Sequence, residues 1–231
     1  MGGNYSRTME PDLRIEHSPT TLRELAVDRL RGAIINGRFA GGDRLVERTL
    51  CEQLGVSRSV IREAIRYLEA EGLVDAQNRQ GPVVATLDWA RARQIYDIRR
   101  LLEADAAAAC ARIADPAVKT ELRAALSDLE EAFGGTAMDA LYAATTAFYA
   151  TIFRAAGHHV AWEIVQRLNS RISRLRALTL ASTNRRVSGP ARMARICAAI
   201  CANDPDEAAR AVRDHLQEAA EIARHVLEGQ P

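Results

Sequence analysis

The segment from Leu50 to Val74 constrains the fold of this chain more than any other. Its apolar residues recur at the three- and four-residue intervals of a helix both before and after Gly55, which suits a tight turn between two helices. Ser57 directly precedes the second helix and is a favourable N-cap. Three arginines at four-residue intervals share one face of that helix: Arg58, Arg62 and Arg66. A capped helix with arginines on its outer face fits the major groove of DNA, so the segment predicts a DNA-binding helix-turn-helix.

The elements on either side extend this prediction. A helix is expected from about Thr20 to Asn36, and the glycines within residues 37–42 end it. After the helix-turn-helix, two short strands are expected at residues 73–76 and 83–86, around a loop. A helix-turn-helix followed by such a hairpin is a winged helix.

Three segments of this region resemble the winged-helix signature of the GntR family of bacterial transcription regulators: residues 34–47, 55–74 and 78–84. An arginine-faced surface helix in an unrelated helical protein is the alternative, and the agreement of three consecutive segments in register disfavours it. In a winged helix of this kind we expect the second helix to read base edges and the wing to approach the DNA backbone or minor groove, while the resemblance adds a contact from the preceding helix. The residues at these positions are Arg48, Ser57, Arg58, Ser59, Arg62, Arg66, Arg79 and Gly81.

The composition changes after Leu87: strand patterns end, alanine becomes frequent and a helical period continues to the C-terminus. Glycine and proline breaks divide this part into about six helices, which suits an antiparallel bundle. The predicted fold class is therefore mainly α, with a two-stranded wing in the N-terminal part. The expected divisions are a polar, aperiodic tail over residues 1–16, the winged helix over 17–87 and the bundle over 88–231.

The bundle resembles the FCD ligand-binding domain of the FadR subgroup, chiefly over residues 98–107 and more loosely over 147–157 and 208–216. The resemblance implies a site for a divalent metal held by one aspartate and three histidines. The residues at those positions are Thr145, Tyr149, Met193 and His215. Threonine, methionine and neutral tyrosine are poor ligands for such an ion, so we predict that the metal site is lost and that the protein has no cofactor.

A pocket for a small effector is expected to remain without the metal. Thr145, Tyr149 and His215 offer a hydroxyl, a phenol and an imidazole in an otherwise apolar bundle that includes Met193. Arg99 matches an arginine that the family places near its pocket, where it would pair with the carboxylate of an organic acid. The alternative for Arg99 is an ion pair within the bundle, for instance with Glu103 four residues on.

Met193, Cys197 and Cys201 lie at successive four-residue steps on one predicted helix. Such a stripe suits a soft metal ion or an oxidation sensor. Packing of three medium-sized hydrophobic side chains is the favoured interpretation, since free cysteines are commonly buried in this way.

Bulk properties allow a DNA-binding regulator without requiring one. The net charge is +1, no apolar run reaches the length of a membrane span and no signal peptide is evident, so a cytoplasmic protein is expected. We expect a homodimer on a palindromic operator. We do not expect an enzyme, because no nucleophile–base pair, phosphate loop or carboxylate pair is recognisable in the sequence. Repression released by a small organic acid is favoured, and a dimeric DNA-binding protein without an effector is the alternative.

Overall fold

The N-terminal part of the chain folds as three helices and a two-stranded sheet in the computed structural model, which describes residues 21–77, 81–181 and 189–229. A capping box begins the first helix: the Thr21 hydroxyl accepts from the Glu24 amide at 3.3 Å, and the Glu24 carboxylate accepts from the Thr21 amide at 2.8 Å. The elements are α1 (Leu22–Ile35), α2 (Glu47–Leu54), α3 (Arg58–Ala70), β1 (Val74–Gln77) and β2 (Gly81–Val84).

The expected winged helix is present. Gly55 adopts a left-handed φ of 65° and ends α2, which is the conformation that glycine allows at low cost. β1 and β2 pair antiparallel with Val74 opposite Val84. The expected polar tail over residues 1–16 and the wing loop over 78–80 lie outside the described residues.

The C-terminal part is a bundle of seven described helices. They are α4 (Trp89–Ile113), α5 (Pro116–Gly134), α6 (Met138–Ala155), α7 (His159–Arg171), α8 (Ser173–Ala181), α9 (Gly189–Cys201) and α10 (Pro205–Glu228). The two longest, α4 and α10, pack along each other more extensively than any other pair. Phe148, Ile152 and Phe153 of α6 are completely buried in the core between the helices.

The structure has one helix more than the sequence predicted, because the stretch after Gly157 divides in two. Ile172 departs from helical geometry with φ −111° and ψ 16° and separates α7 from α8. No glycine or proline marks this break, so the residue pattern did not predict it. The mainly α fold class is confirmed.

Contacts join the winged helix to the bundle. The Asn36 side-chain oxygen, at the end of α1, accepts from the backbone amide of Asp139 at 3.3 Å. Arg174 of α8 donates to the carbonyl of Phe39 at 3.4 Å. Among the helices in the described part of the chain, none has the length and apolar character needed to cross a membrane.

Candidate DNA interface and effector site

The N-terminus of α3 is capped and exposed. Ser57 adopts an extended conformation and its hydroxyl accepts from the amide of Val60 at 3.4 Å, while the Ser57 and Ser59 hydroxyl oxygens lie 2.8 Å apart. The opposite face of α3 is held in the core by Ile61, which is completely buried. Helix N-termini attract phosphate through their free amides and dipole, so this end of α3 suits contact with a DNA backbone.

The α3 arginines are exposed but differ in what they contact. Arg58 and Arg66 form no hydrogen bond or ion pair with any other residue that the structure describes. Arg62 points its Nε at the carboxylate of Glu47, at 3.0 and 2.9 Å from the two oxygens. Arg62 must therefore exchange this partner or share it when DNA binds, whereas Arg58 is free to contact DNA directly.

The remaining predicted DNA contacts lie on α2 and the wing. Arg48 is 78% exposed at its side chain, and its Nε lies 3.9 Å from the carboxylate of Glu52, which is a weak surface pair. Gly81 begins β2 with a left-handed φ of 79°, and the Arg44 guanidinium lies 3.7 Å from where a β-carbon would stand. Sequence reasoning missed Arg44, an exposed cation beside the wing. The predicted contact from Arg79 lies outside the described residues.

Arg99 forms an ion pair inside the bundle. Its Nε donates to a Glu103 oxygen at 2.7 Å, and both side chains are at least 98% buried. Its guanidinium carbon also lies 5.3 Å from the centre of the Tyr96 ring. Burial lowers the pKa of Arg99, but the charge and hydrogen bond of Glu103 together with the neighbouring Tyr96 and Tyr149 more than offset this, so the pKa ends above its usual value. The structure thus realises the second of the two roles considered for Arg99.

The four residues at the family's metal positions are all buried in the bundle: Thr145, Tyr149, Met193 and His215. The Thr145 hydroxyl donates to the carbonyl of Leu141 at 2.8 Å, so it is directed at its own helix. Burial first, and then the negative charge of Glu103, raise the pKa of Tyr149 well above its usual value, which keeps the phenol neutral. A turned-away hydroxyl, a neutral phenol and a thioether do not suit a divalent metal ion, so the donor set does not fit the family's metal.

Arg176 of α8 is a buried cation that sequence reasoning missed. It is 2% exposed; its Nη1 donates to the Thr146 hydroxyl at 3.2 Å, and its guanidinium lies 5.2 Å from the Tyr142 ring. Its Nη2 has no hydrogen-bond partner among the described residues. Burial first, and then the positive charge of Arg99, lower the pKa of Arg176 below its usual value. The negative charge of Glu103 acts in the opposite direction but does not offset these two effects.

The charges buried in the bundle are equal in number but are not all paired with one another. Four charged side chains are buried among the described residues: Arg99, Glu103, Arg176 and Glu218. Arg99 pairs with Glu103, and Glu218 pairs with Arg192 at 3.1 Å. Arg176 forms no ion pair with a carboxylate among the described residues, although the charge of Glu103 acts on it as a smaller effect. Buried charges are normally paired, so a buried arginine without an ion-pair partner is unusual.

Further polar atoms lie along the same stretch of chain as Arg176. Ser173 lies three residues before Arg176, so helical spacing places these two on one side of α8, while Asn169 lies near the end of α7, before the break at Ile172. Each of the three is at most 2% exposed. The Asn169 Oδ1 and the Ser173 hydroxyl have no hydrogen-bond partner within the described ranges, and the Tyr149 hydroxyl lies near the Glu103 carboxylate, which raises its pKa. Residue spacing alone gave no signal that Arg176 is buried, because it lies in a stretch with several other arginines.

The cysteine stripe resembles packing more than a metal or redox site. The sulfur atoms of Cys197 and Cys201 lie 4.0 Å apart. Burial and the neighbouring Cys201 thiol raise the pKa of Cys197 to about 12 and that of Cys110 to about 11. Protonated thiols are poor metal ligands and react slowly, because the thiolate is the reactive form.

A winged helix with an arginine-bearing recognition helix, joined to a helical bundle with a polar interior, defines a DNA-binding transcription regulator. The chain belongs to the GntR family: residues 22–84 match "Bacterial regulatory proteins, gntR family", and residues 94–218 match the FCD domain. This confirms the resemblance of the two parts of the chain to the GntR family and to the FCD domain.

Relatives of this chain bear out the regulator class. It is 29% identical over 202 residues to the HTH-type transcriptional regulator YdhC of Bacillus subtilis (strain 168), covering 87% of this chain and 90% of that one. It is 26% identical over 201 residues to the HTH-type transcriptional repressor RspR of Escherichia coli (strain K12), covering 85% and 86%. The solved structure of E. coli McbR/YncC shares the fold with a TM-score of 0.73 at 20% identity, covering 90% of this chain and 99% of that one.

Proposed function

We propose that this GntR-family regulator is a homodimeric repressor whose operator binding is weakened by a small organic acid held inside the bundle. The unpaired, buried guanidinium of Arg176 is the observation that carries the effector part of this proposal. Two copies of α3 would read the two halves of a palindromic operator. The protein acts in the cytoplasm, without catalysis, in line with a family of DNA-binding regulators.

A carboxylate is the ligand chemistry that suits the bundle interior. An oxygen that accepts from the Arg176 Nη2 would complete the hydrogen bonds of that guanidinium and neutralise its charge. The hydroxyl of Tyr149 and the side chain of Asn169 would receive a hydroxyl or second polar group of the same ligand. Arg99 is already neutralised by Glu103 and has a secondary role in holding the ligand. Thr145, Met193 and His215 are buried in the same bundle interior. The arginine supplies the charge that a metal supplies elsewhere in the family, and the site is metal-free.

The effector acts by favouring one arrangement of α8. Arg176 faces the interior, whereas Arg174 on the same helix contacts the carbonyl of Phe39 in the winged helix. A ligand that binds Arg176 and moves α8 therefore changes the contact between Arg174 and the winged helix. Because the coupling is reciprocal, operator DNA must change the affinity for the effector by the same factor.

Arg58→Ala tests the DNA-binding part of the proposal. We expect the affinity for an operator, selected from random duplexes, to fall about ten- to a hundredfold, because a bidentate arginine–guanine contact discriminates by about 1–3 kcal/mol. Binding to an unrelated duplex should fall far less, since phosphate contacts are not specific to sequence. Fluorescence anisotropy with both duplexes at one salt concentration measures the two affinities.

Arg29→Ala is the control for this experiment, because Arg29 is an exposed cation on α1 rather than α3. It removes the same charge and should leave the ratio of specific to non-specific affinity unchanged. Equal losses on both duplexes in Arg58→Ala would show that Arg58 contacts phosphate and would contradict its assignment to base reading.

Arg176→Met tests the effector part. The probes are sodium lactate, malonate and gluconate, each compared with the corresponding amide, on chelator-treated protein. We expect at least one acid to raise the melting temperature of the wild type and to weaken operator binding, while its amide and the Arg176→Met protein show neither effect. Differential scanning fluorimetry and anisotropy measure the two readouts.

Arg167→Met is the matched control, since Arg167 is exposed on α7. It should respond to the acid as the wild type does. An unchanged response in Arg176→Met would place the acid elsewhere. The absence of any response in the wild type would favour the alternative function, a dimeric DNA-binding protein that senses no ligand.

A further inference from the structure

A groove of about 330 Å³ lies between the winged helix and the bundle. Leu73 and Val84 line it on the winged-helix side, and Leu175, Leu178 and Leu227 line it on the bundle side. Its volume is at the lower end of the range for small-molecule pockets, about 300–1,000 Å³, and pockets are common where two domains meet. Ser173 also lines this groove, but none of the residues proposed to contact the interior ligand does.

Two arginines of the bundle stand at the groove and reach across to the winged helix. The Arg171 Cγ and Nε lie 2.7 Å from where a β-carbon of Gly72 would stand, so the missing side chain of that glycine makes room for the arginine. The Arg174 Nη2 lies 3.4 Å from the corresponding point at Gly37. Both glycines adopt a left-handed backbone, with φ of 76° and 78°, which other residues rarely adopt.

Neither arginine is neutralised within the described ranges of the chain. Arg171 has no hydrogen bond or ion pair there, and Arg174 has only the carbonyl of Phe39 at 3.4 Å. Two cations beside an aliphatic groove are complementary to a ligand with an apolar body and one negative group. The lining leucines would contact the body, and the guanidinium groups would contact the carboxylate.

The geometry points to a second ligand site in this groove, for a small monocarboxylate with an aliphatic body. A ligand that touches both Leu73 and Leu178 binds best in one arrangement of the two domains. It would therefore bias how the winged helix is presented to DNA. The site is separate from the one around Arg176, and its existence does not depend on whether that interior site binds an effector.

Titration calorimetry on the full chain tests the site with three probes: hexanoate, hexanamide and acetate. Hexanamide keeps the apolar body without the charge, and acetate keeps the charge without the body. We expect hexanoate to bind saturably. Hexanamide and acetate should each bind at least about tenfold more weakly than hexanoate. Equal binding of hexanoate and hexanamide, or no binding of hexanoate, would overturn the proposal.

Variants then locate the bound hexanoate. Arg171→Gln and Arg174→Gln should each weaken it about tenfold. Leu178→Trp, which fills the groove and leaves both arginines in place, should abolish binding, whereas Arg167→Gln and Arg176→Met should leave it unchanged. Loss of binding in Arg176→Met with retention in Leu178→Trp would assign hexanoate to the bundle interior and reject the groove site.

Discussion

Replacing Arg99 with methionine is expected to lower the free energy of unfolding by about 3–5 kcal/mol, which is typical for removing one partner of a buried ion pair. The Arg99 and Glu103 side chains are 2% and 0% exposed and are joined at 2.7 Å. Without Arg99, the Glu103 carboxylate loses its charge-assisted hydrogen bond and stays buried. Urea unfolding followed by circular dichroism, at one protein concentration, measures the change.

The double variant Arg99→Met, Glu103→Leu separates the cost of the orphaned carboxylate from the loss of packing. Replacement of both charges by apolar groups of similar size is commonly neutral or stabilising, so most of the lost stability should return. A double variant as unstable as Arg99→Met alone would mean that the two side chains matter for their shape or for other contacts, and not as an ion pair.

Arg176→Met is expected to act in the opposite direction and raise the free energy of unfolding of the ligand-free protein by about 1–3 kcal/mol. The substitution loses a hydrogen bond to Thr146 and the contact with the Tyr142 ring. It also removes a buried guanidinium whose Nη2 has no partner among the described residues and whose pKa is lowered by burial and by Arg99. The cost of burying that unpaired charge exceeds the value of one neutral hydrogen bond.

The same urea titration measures this second effect. Arg167→Met should change the free energy of unfolding by less than about 0.5 kcal/mol, as expected for an exposed position. Clear destabilisation by Arg176→Met would mean that Arg176 is a structural residue with satisfied contacts. Stabilisation together with loss of the carboxylate response is the pattern of a residue kept for a ligand at the expense of stability.

Local signals were sufficient to predict most of the fold. Gly55 lies between two segments with helical spacing of apolar residues, and Ser57 directly precedes the second segment. These two residues predicted the position of the helix-turn-helix, because turn and cap preferences depend on neighbouring residues. The glycine and proline breaks likewise placed most ends of the bundle helices. The break at Ile172 was not predicted, because no helix-breaking residue marks it and it depends on tertiary packing.

The interior site was harder to predict because its chemistry depends on pairs that lie far apart in the sequence. Arg99 and Glu103 are four residues apart, so their ion pair was foreseen as one of two alternatives. Arg176 looks like one of several arginines in a helical stretch, and only the packing of α8 against α6 reveals that it is buried without an acid. A buried charge without an ion-pair partner can be recognised only once the partners of the other charges are known.

The short helix α8 has a practical consequence for building hybrid regulators. Arg174 connects it to Phe39 of the winged helix, while Arg176 belongs to the bundle interior. A biosensor that joined this bundle to a foreign winged helix at the linker near Leu87 would carry α8 with it and would place Arg174 against an unfamiliar surface. Such a chimera would keep the ligand response only if the grafted winged helix also offered glycine at the equivalents of Gly37 and Gly72, where the two arginines reach across.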